Sequence, residues 1–333
     1  MNPIFLFRTH LALLGTGLIQ ISSLHAGWKM EVLPYEWHLA GFENSLDLSG
    51  IAAASPTQCV VGSDESFYIQ PGIIDAERHR IESQRPIALP IQTDPKKAEI
   101  DIEGVAFCGK QNAYFVVGSH GVGRKKGTFE PDRHSIFRIK VNPADQAVDK
   151  ESIQRTSLLP WLQKTPVVSE HLKKPLQLNG LNIEGLAVSN ERLFFGLRAP
   201  NKNGRGFVLE TGAKELFEGK PGPMKVHELA IEDGRGIRDI VSVNGGFLLV
   251  TGNASVEASK KIPKSMAKAP DDQFDLFFWD GKSADPSKIG TLPANQGKGE
   301  GLLVLDQSEK HIDLLVIFDG LPGGEPVSIS ISR

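Results

Sequence analysis

The chain is poor in cysteine, in aromatic residues and in net charge, and each shortage removes a class of explanation. Only Cys59 and Cys108 occur in 333 residues, neither in a Cys-x-x-Cys or similar spacing, so a structural zinc site is not expected. The two thiols either form one bridge in an oxidising compartment or stay apart as small buried hydrophobes, and the sequence leaves both open. Aromatic residues make up 7% of the chain, too sparse and scattered for a platform that stacks sugars or nucleobases. Lys plus Arg number 37 against 40 Asp plus Glu, a formal charge of -3 that excludes a field strong enough to draw in nucleic acid or an anionic membrane. Any anion site must be local. Catalytic signatures are missing too: there is no Gly-x-Ser-x-Gly elbow, His-Glu-x-x-His, EF-hand loop or Gly-x-Gly-x-x-Gly, and nine histidines fall without ligand spacing.

Long apolar runs are absent except near the start. Arg8 followed by the apolar stretch 11–19 and the small residue Ala26 has the form of a secretory signal, which predicts cleavage after Ala26 and a periplasmic or secreted product. The apolar stretch is well short of the roughly 20 residues a bilayer requires, so no integral membrane segment is expected after cleavage. The remaining 27–333 would carry 36 basic against 40 acidic residues, or -4.

What is present is repetition. A polar residue and a glycine open a short apolar strand in Leu48–Ala53, Ile102–Phe107, Ile183–Val188 and Gly299–Val304, with Gly236–Val241 as a variant. Each is followed by a turn and a second apolar run, as in Tyr114–Ser119 and Leu193–Arg198, so each pair reads as a hairpin. With Gly50, Gly104, Gly185, Asp239 and Gly301 as anchors the steps are 54, 81, 54 and 62 residues, matching a propeller blade with loop insertions. The fold expected is all-β, one β-propeller over 27–333. Five units are explicit, and the alternating run Ser135–Val141 in the longest step is either a sixth blade, the favoured count, or an outer strand of the second. Pro326–Ile331 is expected to pair with Glu31–Leu33 or the first blade and close the ring, which hides strand edges. Helical signals are scarce; 256–269 could form a short helix, but Pro263 favours a solvated loop.

In a propeller the first strand of each blade lines a crowded axis, and a glycine there permits close backbone approach. The acids at or just before the anchors then converge, giving Glu103, Glu184, Asp239 and Glu300 as candidate metal ligands, with Ser49 at the equivalent place. Hard oxygen donors point to Ca²⁺ or to acid/base chemistry. Four acids repel one another unless a cation, an Arg or a proton compensates, and Arg198 and Arg238 are the candidate partners. The structural alternative is that each acid accepts hydrogen bonds that tie blade to blade. A second candidate is the loop Gly118–Gly127, where His120, Arg124, Lys125 and Lys126 could meet an anion. Its plainer reading is a solvated basic turn, and that of Arg198 an ion pair with Glu184 or Asp239.

The strings Leu48–Ala53, Asp101–Ala106, the 118–126 loop, Asn182–Ala187 with Gly196–Arg198, and Gly299–Gly301 resemble the bacterial domain of unknown function 3616 family from about residue 45 onward. That resemblance implies a propeller-like fold and no settled activity. A more distant likeness is to the esterase-like phytase group, with Asp101–Ala106 and Asn182–Ala187 fitting its Asp-x-Glu-Gly pattern although Asn182 departs from it. This would imply metal-assisted phosphoester hydrolysis, the carboxylates holding the ion and Arg124, Lys125, Lys126 or Arg198 meeting phosphate. The expected function is a monomeric, exported propeller that binds a small anionic ligand, Ca²⁺ or both at the axial mouth. The rivals are a phosphoesterase and a protein-interaction scaffold.

Overall fold

The computed structural model describes residues 20–21, 27–96, 98–124, 126–266, 269–294 and 297–333, the first pair as backbone only. The predicted signal segment 1–26 therefore lies outside the described residues apart from 20–21. No helix among the described residues is long and apolar enough to cross a membrane.

Among the described residues, five blades account for the strands, antiparallel except where His38–Ala40 runs parallel to Arg80–Ser83 at the outer edge of the first. Their innermost strands are Leu48–Ser55, Ile102–Cys108, Asn182–Ser189, Arg235–Val243 and Lys298–Gln307, each followed outward by its hairpin partner. The favoured count of six is thus corrected to five. Ile136–Lys140 pairs with Ala113–Gly118 as the third strand of the second blade, and Gln154–Thr156 is the fourth. The long step between the second and third anchors is filled by loops, the later of which carries the short helices Leu159–Leu162 and Pro166–Ser169. The described part of 256–269 forms no helix. In the fifth blade the strand Val327–Ser332 has Lys29–Glu36 as its outer neighbour, with Glu31 opposite Ser330.

Strand side chains alternate between two faces, and in this molecule both faces are covered, which explains why the strands read as continuous apolar runs. Leu193 and Phe195 point toward the second blade, Phe194 toward the fourth. Every gap between neighbouring blades holds one hydrophobic cluster, including the gap in which Leu315 and Ile317 of the fifth blade meet Ile51 and Val61 of the first. Cys59 and Cys108 lie buried and free in two different gaps, so the possible bridge does not form.

Toward the axis the packing leaves no room for side chains at Gly50, Gly104 and Gly185, where neighbouring backbone lies close. A Cβ on Gly185 would sit 2.8 Å from the Ile240 amide nitrogen, and one on Gly104 would sit 2.9 Å from that of Leu186. Because those neighbours are backbone they cannot move aside, so Gly185→Ala is expected to cost about 1–3 kcal/mol by overpacking. Gly222, with nothing near its would-be Cβ, is the control. Equal thermal unfolding midpoints for Gly185→Ala and Gly222→Ala would show that the inner strands tolerate separation.

Candidate functional site

One detail of register recurs in all five hairpins. Leu48 pairs with Ser63 and Gly50 with Gly62, leaving Ser49 unpaired between them. The same one-residue bulge isolates Glu103, Glu184, Arg238 and Glu300. A bulge breaks the two-face alternation and re-aims one side chain. Here it turns a single residue per blade out of the inter-blade gap and toward the axis.

The five re-aimed residues are all buried. Ser49 Oγ donates to the Ile102 carbonyl of the next blade. Arg238 lies between two acids, its Nη1 2.8 Å from Glu184 Oε2 and its Nη2 against Glu300 Oε1. Glu184 Oε1 accepts from Arg198 Nη1 at 2.8 Å, and Arg198 Nη2 donates to the Ser255 carbonyl at 2.9 Å. Burial alone would raise the Glu184 pKa, but Arg198 and Arg238 outweigh it and hold the carboxyl below its ordinary range. Burial and Arg198 draw Arg238 down to about 10, which leaves it charged at neutral pH.

Glu103 is different. It is 2% exposed, its Oε1 has no hydrogen-bond partner, and burial together with Glu184, Asp101 and Asp64 pushes its pKa well above the carboxyl range. Its shift is opposite in direction to that of Glu184.

Two residues earlier along the inner strands lies the polar mouth of the axis. Asp47 and Asp101 belong to it, with Asp64 and Asp319 from the ends of second strands. Asp47, Asp64 and Asp319 each bring a carboxylate oxygen within 4.8 Å of the other two. Burial, Asp319 and Asp101 raise Asp64 to about 8, and one of its oxygens is buried without a partner. Lys298 forms an ion pair with Asp319. Beside these acids a cleft of about 580 Å³ is bounded by Asp64, Glu99, Asp101, Arg124, Lys126 and Arg133. Arg133 is already committed, to Glu99 and, at 2.8 Å, to Asp101. Burial disfavours the charge on Arg124, yet Asp101, Glu103, Glu184 and Asp64 hold its pKa above the usual arginine value.

Residues 47–147 and 130–324 match the model of a family described as a protein of unknown function, DUF3616. The chain belongs to the DUF3616 family. No curated protein matches it. Among solved structures it is similar to an exo-β-1,3-galactanase from Phanerochaete chrysosporium with β-1,3-galactotriose, at 11% identity and a TM-score of 0.49, over 91% of this chain and 64% of that one. A chain of a mitotic checkpoint complex is 9% identical over 98% of this chain and 99% of its own, with a TM-score of 0.40. Sqt1 of Saccharomyces cerevisiae is 8% identical over 90% and 99%, with a TM-score of 0.35. At such scores these likenesses carry no argument about role, and the family match brings no phytase assignment with it.

Within this DUF3616 chain the expected site residues meet different fates. Glu103, Glu184 and Glu300 do converge, but Asp239 does not join them. It occupies the anchor position where other blades have glycine, and its oxygens accept from the amides of Ile240 and Leu302, each at 2.7 Å. Arg238 stands where a fourth acid was expected, which removes a four-carboxylate metal ring. Arg198 is paired with Glu184, and Arg238 with Glu184 and Glu300; both are buried, and each keeps an Nε with no hydrogen-bond partner. His120 is fully buried, with Nδ1 2.9 Å from the Gly118 carbonyl and Nε2 accepting from the Leu158 amide at 3.1 Å. Burial and His134 lower it to about 3, so it is a neutral brace between loops with no nitrogen left for a ligand. Arg124 and Lys126 do border the cleft, while Lys125 lies outside the described residues. Asp47 and Lys298 escaped the sequence reading, although their place two residues before Ser49 and Glu300 marks them as equivalents of Asp101.

The two glutamates at matching positions are expected to respond oppositely to the same substitution. Glu184→Gln leaves Arg198 and Arg238 short of a buried counter-charge and should cost about 3–5 kcal/mol. Glu103→Gln removes a carboxyl whose charged form burial and the neighbouring acids disfavour. Since folding raises the Glu103 pKa, the folded state keeps a proton that the unfolded chain loses above about pH 4.3, and wild-type stability falls as pH rises past that value. Glu103→Gln should therefore match wild type near pH 4 and gain on it toward pH 8. Denaturant unfolding at both pH values checks this; a Glu103→Gln loss as large as that of Glu184→Gln would mean that Glu103 is ionised and paired.

Proposed function

We propose that the protein is an exported, monomeric propeller, periplasmic or secreted, that holds a divalent cation at the acidic mouth of its axis and with it takes up a small anionic ligand. The observation that carries this reading is the approach of Asp47, Asp64 and Asp319 to within 4.8 Å of one another, with a buried Asp64 oxygen lacking a partner. Three acids at this spacing repel unless positive charge joins them. Lys298 is paired with Asp319 and also lowers the Asp47 pKa, but its side chain is 49% exposed, so it can swing into water and yield its place. Beneath the three acids lies Glu103, fully buried, with a free carboxyl oxygen and close enough to Asp64 and Asp101 to be shifted by both. All these donors are hard oxygens, the set that Ca²⁺ prefers. The cation site of this reading is thus one layer outward from the glutamates that the sequence suggested, because Arg238 already compensates those. Arg124 and Lys126 border the same cleft, so a phosphate or carboxylate on the metal would meet them at its other side.

A second reading, metal-assisted hydrolysis of a phosphate ester, is favoured by Arg124. A guanidinium held charged beside a metal-capable acid set is placed to bind non-bridging oxygens, and a metal held by Asp47, Asp64 and Asp319 would supply the activation of water.

Titration calorimetry of chelator-stripped protein with Ca²⁺ should give one saturable site per chain and raise the unfolding midpoint, as expected for a ligand that binds only the folded state. The double variant Asp64→Asn, Asp319→Asn should lose both effects. If wild type shows neither heat nor thermal shift with Ca²⁺, Mg²⁺ or Mn²⁺, the cation reading fails. Metal-dependent release of phosphate from p-nitrophenyl phosphate, lost in Arg124→Ala, would select the enzymatic reading over simple binding.

A further inference from the structure

The two arginines of the cleft are held in different ways. Arg133 is fastened by its head group, to Glu99 and Asp101. The Arg124 guanidinium makes no hydrogen bond and no ion pair among the described residues, although Asp101, Glu103, Glu184 and Asp64 are near enough to favour its charge. A long side chain whose head is unfastened takes its place from its backbone. Two bonds shape the turn that carries Arg124: the Gly123 amide donates to the Thr128 carbonyl at 2.8 Å, and the Gly127 amide to the Gly123 carbonyl at 2.7 Å. Both lie within the turn and leave its position over the mouth undetermined. At Arg124 the bond to another loop comes from Gln177, whose Nε2 donates to the Arg124 carbonyl at 3.0 Å.

Gln177 sits on a strap that is itself tightly fixed. The strap closes where His171 Nδ1 lies 2.6 Å from the Asn179 carbonyl and the Leu181 amide donates to the His171 carbonyl at 3.1 Å. A Cβ on Gly180 would stand 1.7 Å from the Lys174 carbonyl oxygen, so only glycine fits there. Asn179, at a φ of 60°, fastens the strap to the third blade by two bonds with Asn201: its Nδ2 donates to the carbonyl at 2.8 Å, and its Oδ1 accepts from the amide at 2.9 Å. The Gln177 carbonyl accepts from the Met266 amide at 2.9 Å, which joins a loop of the fourth blade to the same point. Gln177 is 2% exposed, and its Oε1 is buried without a partner. An unpaired buried amide oxygen is unfavourable, and a methionine would fill similar space without it. What the amide supplies here is the bond to Arg124.

We infer that Gln177 is a positioning residue, which fixes the Arg124 backbone over the acidic mouth and so sets where the guanidinium meets an anion. It acts through Arg124 and does not itself line the cleft. The inference rests on the reading of Arg124 as the anion's partner, and a measurement without anion separates the two.

That measurement is amide ¹⁵N relaxation of the full, ligand-free chain. Gln177→Met removes the donor at nearly constant volume and should lower the heteronuclear Overhauser effect at 123–127 while leaving the amides around Asp64 unchanged. The anion probe is methyl phosphate, titrated into Ca²⁺-loaded protein. Gln177→Met should weaken methyl phosphate at least fivefold and hold Ca²⁺ within twofold of wild type, which also shows that the axis is folded. In an Arg124→Lys background the same substitution should change methyl phosphate affinity by less than twofold, because the two residues act as one unit. Unchanged relaxation at 123–127 would overturn the inference. So would an equal loss of affinity in the wild-type and Arg124→Lys backgrounds, since a merely structural role would give that result. Wild type that takes up no methyl phosphate would instead remove the anion reading, with the relaxation data still deciding whether Gln177 holds Arg124.

Discussion

One extra residue in each inner strand governs the axis. A regular strand would send Ser49, Glu103, Glu184, Arg238 and Glu300 into hydrophobic gaps, where a charged group costs several kcal/mol. The bulge turns them inward instead, and the glycine that follows in four of the blades lets the backbones come close, while Asp239 bridges to the Leu302 amide in the other. Polar side chains from distant parts of the chain are thereby brought together away from water. The rest of the axial chemistry is the molecule's answer to that proximity.

The answer differs from blade to blade. Serine replaces the acid in the first and donates to a neighbouring carbonyl; in the second, burial and nearby acids shift Glu103 toward its protonated form; guanidinium groups neutralise Glu184 and Glu300 in the third and fifth. The fourth blade supplies the guanidinium in place of an acid, and Asp239 replaces its glycine, reaching across to the Leu302 amide where the other blades make bare backbone contact. Because Arg198 and Arg238 belong to the third and fourth blades, positive charge collects on that side. The acids of the first, second and fifth blades are left to share Arg124, Arg133 and Lys298. The imbalance at the mouth is therefore a consequence of where the ring put its arginines.

The repeat, the strand pairs and the convergence of three glutamates could be read from the sequence because strands covered on both faces are apolar throughout, and because an anchor that must lie against backbone is nearly always glycine. Blade count could not, since Ile136–Lys140 has the same alternation whether it begins a blade or extends one. In Gly236–Val241 an acid of the expected type drew the assignment to Asp239, while the register gives the axial position to its neighbour Arg238. Residue type misled and spacing did not. His120 shows a different limit: a histidine in a glycine-rich basic loop reads as a ligand group, and what removes it from that role is the amide of Leu158, 38 residues away. Long-range partners of this kind leave no local mark.

The bulge also divides the axis into two chemistries. Before it, side chains reach the axis and carry charge, so the mouth can select for charge and for oxygen-preferring cations. After it, alternation returns the side chains to the gaps, and neighbouring inner strands pack backbone against backbone, as at Gly104 and Gly185. Substitutions at the first end change the charge that the mouth presents, whereas at the second they meet the close packing of the strands. A propeller built this way can vary one end freely while the other stays fixed by the contact between its blades.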